Sequence, residues 1–360
     1  MRVLVIGGDG FMGRAVRQGL ETLPETEVDS GGRGAAVRID LRDPSTFGVL
    51  QGYDYVVNCA DATIAPPDEA MGRGLECRPA FIETTSHTPT VERLLERFRG
   101  RQGHRGLGIL GAGVFTGLSN LVAAEAASAM MRTRSVQLSL AFSPLAGGGG
   151  GMAALAPGML ASPAVRYIDG QRVEVPGLRK GPVVEFAAGP RATVEAAFPE
   201  PHMLHCSIDA PDIRMLWAPR PAPLGPLLRL SATLTPGFVG RSALAQGLAR
   251  RLGGFVRGVL LGGLRSEVEL IAEAEGPEGR HRVRFYTDDG MAAAGFAVAA
   301  MLHQLESRAL RTSGQWCGLF LPDELVGLSA TVDAMRTLAG DRLRLESSSE
   351  TLEGRVRHPA

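Results

Sequence analysis

Three features of the chain predict an α/β protein. An apolar run from Val3 to Ile6 is followed by glycines at positions 8, 10 and 13. Strand-like apolar runs then alternate with helical patterns through residue 120. Beyond residue 121 the pattern changes to period-two alternation. Together they predict an N-terminal doubly wound parallel sheet of the Rossmann type over 1–120. An α+β domain with a mostly antiparallel sheet is expected to follow over 121–288.

The first element is a buried strand ending near Gly7, and a helix is expected from about Met12. Gly8, Gly10 and Gly13 form G-x-G-x-x-G between them. One glycine allows the sharp turn, the next lets backbone N–H groups approach a pyrophosphate, and the third lets helix lie close on strand. The helix N-terminus adds free N–H groups and the positive end of its dipole. Gly8, Asp9, Gly10, Phe11, Met12 and Gly13 are therefore the expected dinucleotide contacts.

Residues 27–30 read as the second strand, with Ser30 at its end, followed by Gly31, Gly32 and Arg33. An acid at this tip would bind the ribose hydroxyl of NAD, whereas an arginine nearby accommodates the 2′-phosphate of NADP. Gly32 at the tip and Arg33 after it favour NADP. Asp29, the alternative acid of an NAD site, reads as earlier in the strand. A third strand ends near Asp40, placed to meet the adenine edge. Residues 53–60 form a fourth, whose end, Asn58, Cys59 and Ala60, should border the cofactor; Cys59 reads as a small buried filler. Residues 80–83 and 106–110 complete the set, with Gly113 in the loop after the last and a helical pattern over 91–98.

Composition narrows the classes. The chain has 360 residues, 44% hydrophobic, with 38 basic and 38 acidic side chains. Zero net charge gives no reason to expect nucleic acid or an anionic membrane surface. The longest apolar candidate, residues 291–305, is too short to span a bilayer. The first strand begins at once, so no signal peptide is expected and the location is expected to be cytoplasmic. Cys59, Cys77, Cys206 and Cys317 form no C-x-x-C pair, which favours free thiols over a disulfide framework or zinc site. Lys180 is the only lysine and Pro176 stands four residues before it, which excludes the Tyr-x-x-x-Lys mechanism of short-chain dehydrogenases.

GGDGFMGR, SGGR, DYVVNCA, FIETTSHT and GAGVFTGLSNLVA, in this order and spacing, resemble the saccharopine dehydrogenase-like oxidoreductases. Two positions depart from the family pattern. Glu83 stands where the family usually has Asp, and Thr116 where it usually has Pro, a change expected to loosen the loop that opens the helix at Gly117. The resemblance implies that the middle region is a substrate and dimerisation domain covering the nicotinamide. It also implies that residues 289–341 return to the first domain.

In the middle region, period-two patterning predicts strands over 135–142, 183–187, 203–208, 213–217 and 228–234, and a hairpin of 267–275 with 281–287. His202 and His205 then fall on opposite strand faces, which disfavours a metal pair. Five glycines at 147–151 read as a loop, with covering of a substrate as the functional option, before a helix from about Met152. Residues 241–264 read as a domain helix with a solvated arginine side. Residues 290–310 form a long alanine-rich helix on which His303 reads as packed or at the surface, and WCGLFLPDEL resembles the family's closing motif. The tail, 342–360, is polar and expected to be loosely ordered.

The expected activity is NADP-dependent hydride transfer to or from a small-molecule C=N bond at an interdomain cleft. Reduction of a C=C bond in a lipid or polyketide-like substrate, or non-catalytic NADP binding by a sensor or scaffold, are the alternatives. Loops 60–63, 83–87 and 113–120 should frame the reacting carbon. Glu83 and His87, at a strand's carboxyl end, are the first proton-transfer candidates and Tyr286 the third. Arg166, Arg172, Arg179 and Arg191 fit a dicarboxylate substrate, while the Ala- and Leu-rich middle fits an apolar one equally. The expected partners are a small-molecule substrate and a second copy of the chain, with no metal, nucleic acid or integral membrane segment.

Overall fold

The computed structural model describes residues 1–77, 79–143, 162–220, 266–309 and 316–352. The expected strand at 228–234, the five-glycine loop, the helix from Met152 and the helix at 241–264 lie outside these residues. The chain divides into two compact units. Among the described residues the first comprises those within Met1–Leu118 and Asp289–Arg344, and the second comprises the rest.

The first unit is built on a seven-stranded parallel sheet. Its strands are β1 (Arg2–Ile6), β2 (Glu27–Gly32), β3 (Val37–Arg38), β4 (Tyr55–Asn58), β5 (Ala80–Glu83) and β6 (Leu107–Leu110). A later strand, β15 (Gly318–Phe320), joins it beside β6, giving the order β15-β6-β5-β4-β1-β2-β3. The reversal at β1 is the topological switch point of dinucleotide-binding sheets. Val3, Leu4 and Val5 are 0% exposed, and β4, β5 and β6 are buried throughout. Strands covered on both faces are continuous apolar runs, which is why these elements are plain in the sequence.

Helix α1 (Phe11–Leu20) follows β1, α2 (Asp68–Glu76) precedes β5, and α3 (Thr88–Phe98) follows it. Helix α3 buries Val91, Leu94, Leu95 and Phe98, the stripe of an amphipathic helix.

The second unit carries α4 (Ser119–Ser128) and α5 (Glu200–Ser207) with a nine-stranded sheet. Its strands are β7 (Ser135–Phe142), β8 (Ala164–Ile168), β9 (Gln171–Val175), β10 (Arg179–Phe186), β11 (Gly189–Glu195), β12 (Asp212–Pro219), β13 (Val268–Gly276), β14 (Gly279–Thr287) and β16 (Leu345–Leu352). The sheet is mixed and mostly antiparallel, with β7 and β12 parallel. Two expectations change here. Residues 203–207 belong to α5, not to a strand, so His202 and His205 lie on one helix. Tyr167 Oη lies 2.6 Å from His202 Nδ1, and its ring stacks at 3.9 Å on His205. The polar tail is ordered over 345–352 as β16, paired along its length with β14.

The alanine-rich helix, α6 (Gly290–Ser307), belongs to the first unit with α7 (Pro322–Leu325) and α8 (Leu328–Ala339). Asp289 caps α6 by accepting from the N–H groups of Met291 and Ala292 at 3.0 and 3.1 Å. Most of α6 is buried, with His303 exposed. Helix α6 crosses α1 at glycines: a Cβ on Gly295 would overlap the Ala15 carbonyl, and one on Gly19 would overlap that of Gly295. Gly295→Ala is therefore expected to lower unfolding stability by about 1–3 kcal/mol, since backbone cannot yield as a flexible side chain does. Gly34→Ala, with nothing within 4 Å of its added methyl, should stay within about 0.5 kcal/mol of wild type in the same denaturant titration.

Candidate functional site

The site is built at the carboxyl edge of the parallel sheet, where ligands of open α/β sheets sit. Gly7, at φ 73°, starts the turn after β1, and a Cβ there would stand 3.0 Å from the Ala60 nitrogen. The turn therefore packs on the end of β4. A Cβ on Gly13 would overlap the Gly7 carbonyl oxygen and lie 2.6 Å from the Gly8 Cα, so helix and turn are in backbone contact. Gly10 is different. It is exposed, and only the Gly7 carbonyl lies within 4 Å of a Cβ built there. Gly10 is also the N-cap of α1, with no side-chain cap and no acid in the first turn. A backbone cradle with an open side and an uncapped helix start has the form of a phosphate site.

Asp9, exposed beside this turn, accepts from Ser30 Oγ at 2.9 Å and from Arg17 Nη1 at 3.3 Å. Arg14 also donates to its carbonyl. Phe11 and Met12 are half-buried, and a Cβ on Gly113 would touch Met12 Cε at 3.5 Å.

Arg33 is exposed just past β2. Asp40 lies beyond β3 and pairs with Arg42 at 2.9 Å. Chiefly the Arg42 side chain, with its N–H and a smaller pull from Arg33, holds the Asp40 carboxyl down at about 2. Asp29 takes a hydrogen bond from Tyr53 Oη at 2.8 Å and pairs with Arg2 at 3.5 Å, so it is already engaged within the strand. Burial, then the Asp29 bond, raise the Tyr53 phenol to about 12.

Register places Asn58 and Glu83 side by side as the last residues of β4 and β5. Both are 0% exposed. Asn58 Nδ2 donates to Glu83 Oε2 at 2.7 Å, and Asn58 Oδ1 accepts from the Ala60 N–H at 3.2 Å. Glu83 Oε1 accepts from the Thr85 N–H at 2.9 Å. Thr84 Oγ1 donates to the Asn58 carbonyl at 2.8 Å. Burial pushes the Glu83 carboxyl up to about 8, against the pull of these bonds. Burial likewise raises the Cys59 thiol to about 12, which keeps it protonated at neutral pH.

His87 caps the start of α3, half-buried, with Nδ1 2.9 Å from Thr90 Oγ1. Burial and then Arg93 lower its pKa, with Asp61 opposing. Asp61 belongs to loop 60–63 and His87 to loop 83–87, two of the loops expected to frame the site.

The loop after β6 does not loosen at Thr116. That residue is 0% exposed at φ 59°, a left-handed conformation closed to proline. Its Oγ1 bonds the Phe115 carbonyl at 2.6 Å and lies 3.4 Å from that of Thr85. Gly111, at φ 96°, makes room: a Cβ there would overlap the Thr116 carbonyl.

Tyr286 belongs to the second unit, on β14 opposite Glu269 and Glu346. Of the four arginines considered for a dicarboxylate, Arg166 pairs with Glu195 at 3.6 Å and Arg172 with Glu174 at 2.7 Å. Arg179 and Arg191 stand on β10 and β11. Among the described residues no cluster of His, Cys, Asp or Glu could hold a metal, and no helix is long and apolar enough to cross a membrane.

The fold and site define an α/β chain with a sheet of dinucleotide-binding order and a mixed second sheet. No family model and no curated protein matches the chain. Among solved structures it is similar to a C. glutamicum DAP dehydrogenase in complex with DAP, at 12% identity and TM-score 0.49 over 91% of this chain and 94% of that one. An engineered D-amino acid dehydrogenase bound to NADP+ matches at 11% and 0.48, over 91% and 94%. A myo-inositol dehydrogenase from Corynebacterium glutamicum matches at 10% and 0.39, over 100% and 99%.

The raised Glu83 carboxyl makes stability depend on pH. Between the unfolded carboxyl range and about 8, the folded chain binds the extra proton, so stability falls as pH rises through that window. The slope from this group is at most about 1.4 kcal/mol per pH unit. Glu83→Gln should flatten it in denaturant titrations at a series of pH values.

Proposed function

We infer that the protein is an NADP-dependent oxidoreductase of the saccharopine dehydrogenase-like type, acting on a small-molecule C=N bond. The observation that carries the nucleotide part is the cradle at Gly10: backbone with an open side, at the uncapped start of α1. The residues present fit a dinucleotide. The turn Gly8–Gly13 would hold the pyrophosphate, Arg33 the 2′-phosphate, and Cys59, Ala60 and Gly113 the borders of the same edge. Ser30 and Asp40 stand by the adenosine end. Asp29, the acid that an NAD site would use, is already bonded to Tyr53 and paired with Arg2, which favours the NADP reading.

The bound nucleotide supplies or accepts a hydride at nicotinamide C4. The chain must manage the accompanying proton. Burial lowers the His87 pKa, which favours the neutral ring, and Nδ1 lies 2.9 Å from Thr90 Oγ1. The other nitrogen takes a proton as an amine is oxidised and returns it as an imine is reduced. The C=N assignment follows the motif set quoted above.

Calorimetry should detect NADPH binding by the folded protein. Arg33→Ala should weaken NADPH binding about 10- to 100-fold, from loss of a charged hydrogen bond, and leave NADH little changed. No heat with either nucleotide would overturn the reading. Loss of NADPH absorbance against an imine panel should fall about 100-fold or more in His87→Ala, with NADPH affinity retained. Turnover of enoyl substrates alone would overturn the C=N assignment.

A further inference from the structure

Resting on the dinucleotide reading above, we propose that Asn58 and Glu83 are positioning residues: a buried clamp that touches neither nucleotide nor substrate and sets the ends of β4 and β5 against the nucleotide turn. The connections run without a gap. Gly7 packs on Ala60, whose nitrogen lies 3.0 Å from the Cβ that Gly7 lacks. The Ala60 N–H is held by Asn58 Oδ1, Asn58 Nδ2 by Glu83 Oε2, and the Thr85 N–H by Glu83 Oε1. Thr85 Oγ1 then accepts from the His87 N–H at 3.2 Å. One route thus joins the phosphate cradle to the loop that carries the proton-transfer histidine.

Burial assigns Asn58 and Glu83 to positioning. Both are 0% exposed, and each side-chain atom that faces the other already has a partner. A carboxyl enclosed in this way cannot meet a substrate without breaking the clamp. The clamp also has a direction: the amide donates to the carboxyl across the strands, while the amide oxygen and the second carboxyl oxygen accept from backbone. Reversing the polarity of the pair keeps every bond. With Asn58→Asp and Glu83→Gln together, the glutamine amide would donate to the new carboxylate, and both backbone N–H groups would keep an acceptor.

The test is NADPH affinity of the full chain, by calorimetry, at a temperature where circular dichroism finds each variant folded. N58D alone puts two acids face to face, and NADPH should bind about tenfold more weakly, the effect of one buried hydrogen bond. E83Q alone sets amide against amide and should weaken binding several-fold. The double variant N58D/E83Q should return to within about threefold of wild type, a coupling that independent sites would not give. If N58D does not fold, N58S takes its place as the variant that leaves Glu83 without its donor. Wild-type affinity in a folded N58D or N58S variant, or a double variant no better than N58D, overturns the clamp and leaves the nucleotide reading standing. Absence of binding by wild type overturns both.

Discussion

The arrangement of the first unit depends on backbone meeting backbone along α1. Gly13 rests on the Gly7 carbonyl at one end of the helix, and Gly19 meets Gly295 of α6 near the other. None of these contacts has room for a methyl group. The helix is thereby drawn onto the sheet and clasped by a segment that follows the second unit in the chain. Its uncapped start at Gly10 is then fixed in place rather than left to fray. A phosphate site made of backbone N–H groups needs this, because such groups are useful only when they are held ready.

Buried carboxyl groups receive two different solutions in the two units. In the second, Glu269 is 0% exposed and ion-paired. Arg220 lies 3.1 Å and Arg284 3.5 Å away, and the Ala187 N–H donates at 2.8 Å. In the first, Glu83 has an amide and backbone N–H groups but no ion-pair partner among the described residues, and its carboxyl is pushed up. A cation offers a buried carboxyl Coulomb attraction that an amide and backbone N–H groups supply only in part. Glu269 joins its strands through ion pairs, whereas Glu83 is joined to Asn58 through an amide and its state changes near neutral pH.

Much of this was legible because both-face burial writes a simple pattern. Val3–Ile6, Tyr55–Asn58 and Ala80–Glu83 announce themselves, and parallel order puts the ends of neighbouring strands at one level. Missed elements are those whose stability is not written locally. Strands β9 and β16 are polar or exposed, and β16 (LESSSETL) is ordered by the ladder to β14. Residues 203–208 have too little length to separate a helical period from a strand period, and α5 forms where Pro201 favours a helix start. The sequence marks Asn58 and Glu83 as neighbouring strand ends, Glu83 as a proton-transfer candidate. It does not mark their mutual bond, because a sequence shows neither register nor which side chain faces which.

Glu83 and Thr116 converge on a single residue. Glu83 accepts from the N–H of Thr85, and Thr116 Oγ1 lies 3.4 Å from the carbonyl oxygen of Thr85. A glutamate reaches one methylene further than an aspartate, and a threonine in the left-handed region turns its hydroxyl where a proline ring would have none. Left-handed backbone at a β-branched residue costs about 1–2 kcal/mol, so it persists only where surroundings hold it. Here Gly111 supplies the space and Thr85 the second carbonyl. The two side chains therefore act together: each holds one polar group of Thr85 in the segment that leads into His87, and a change at either position alone would release that segment from one of its two anchors.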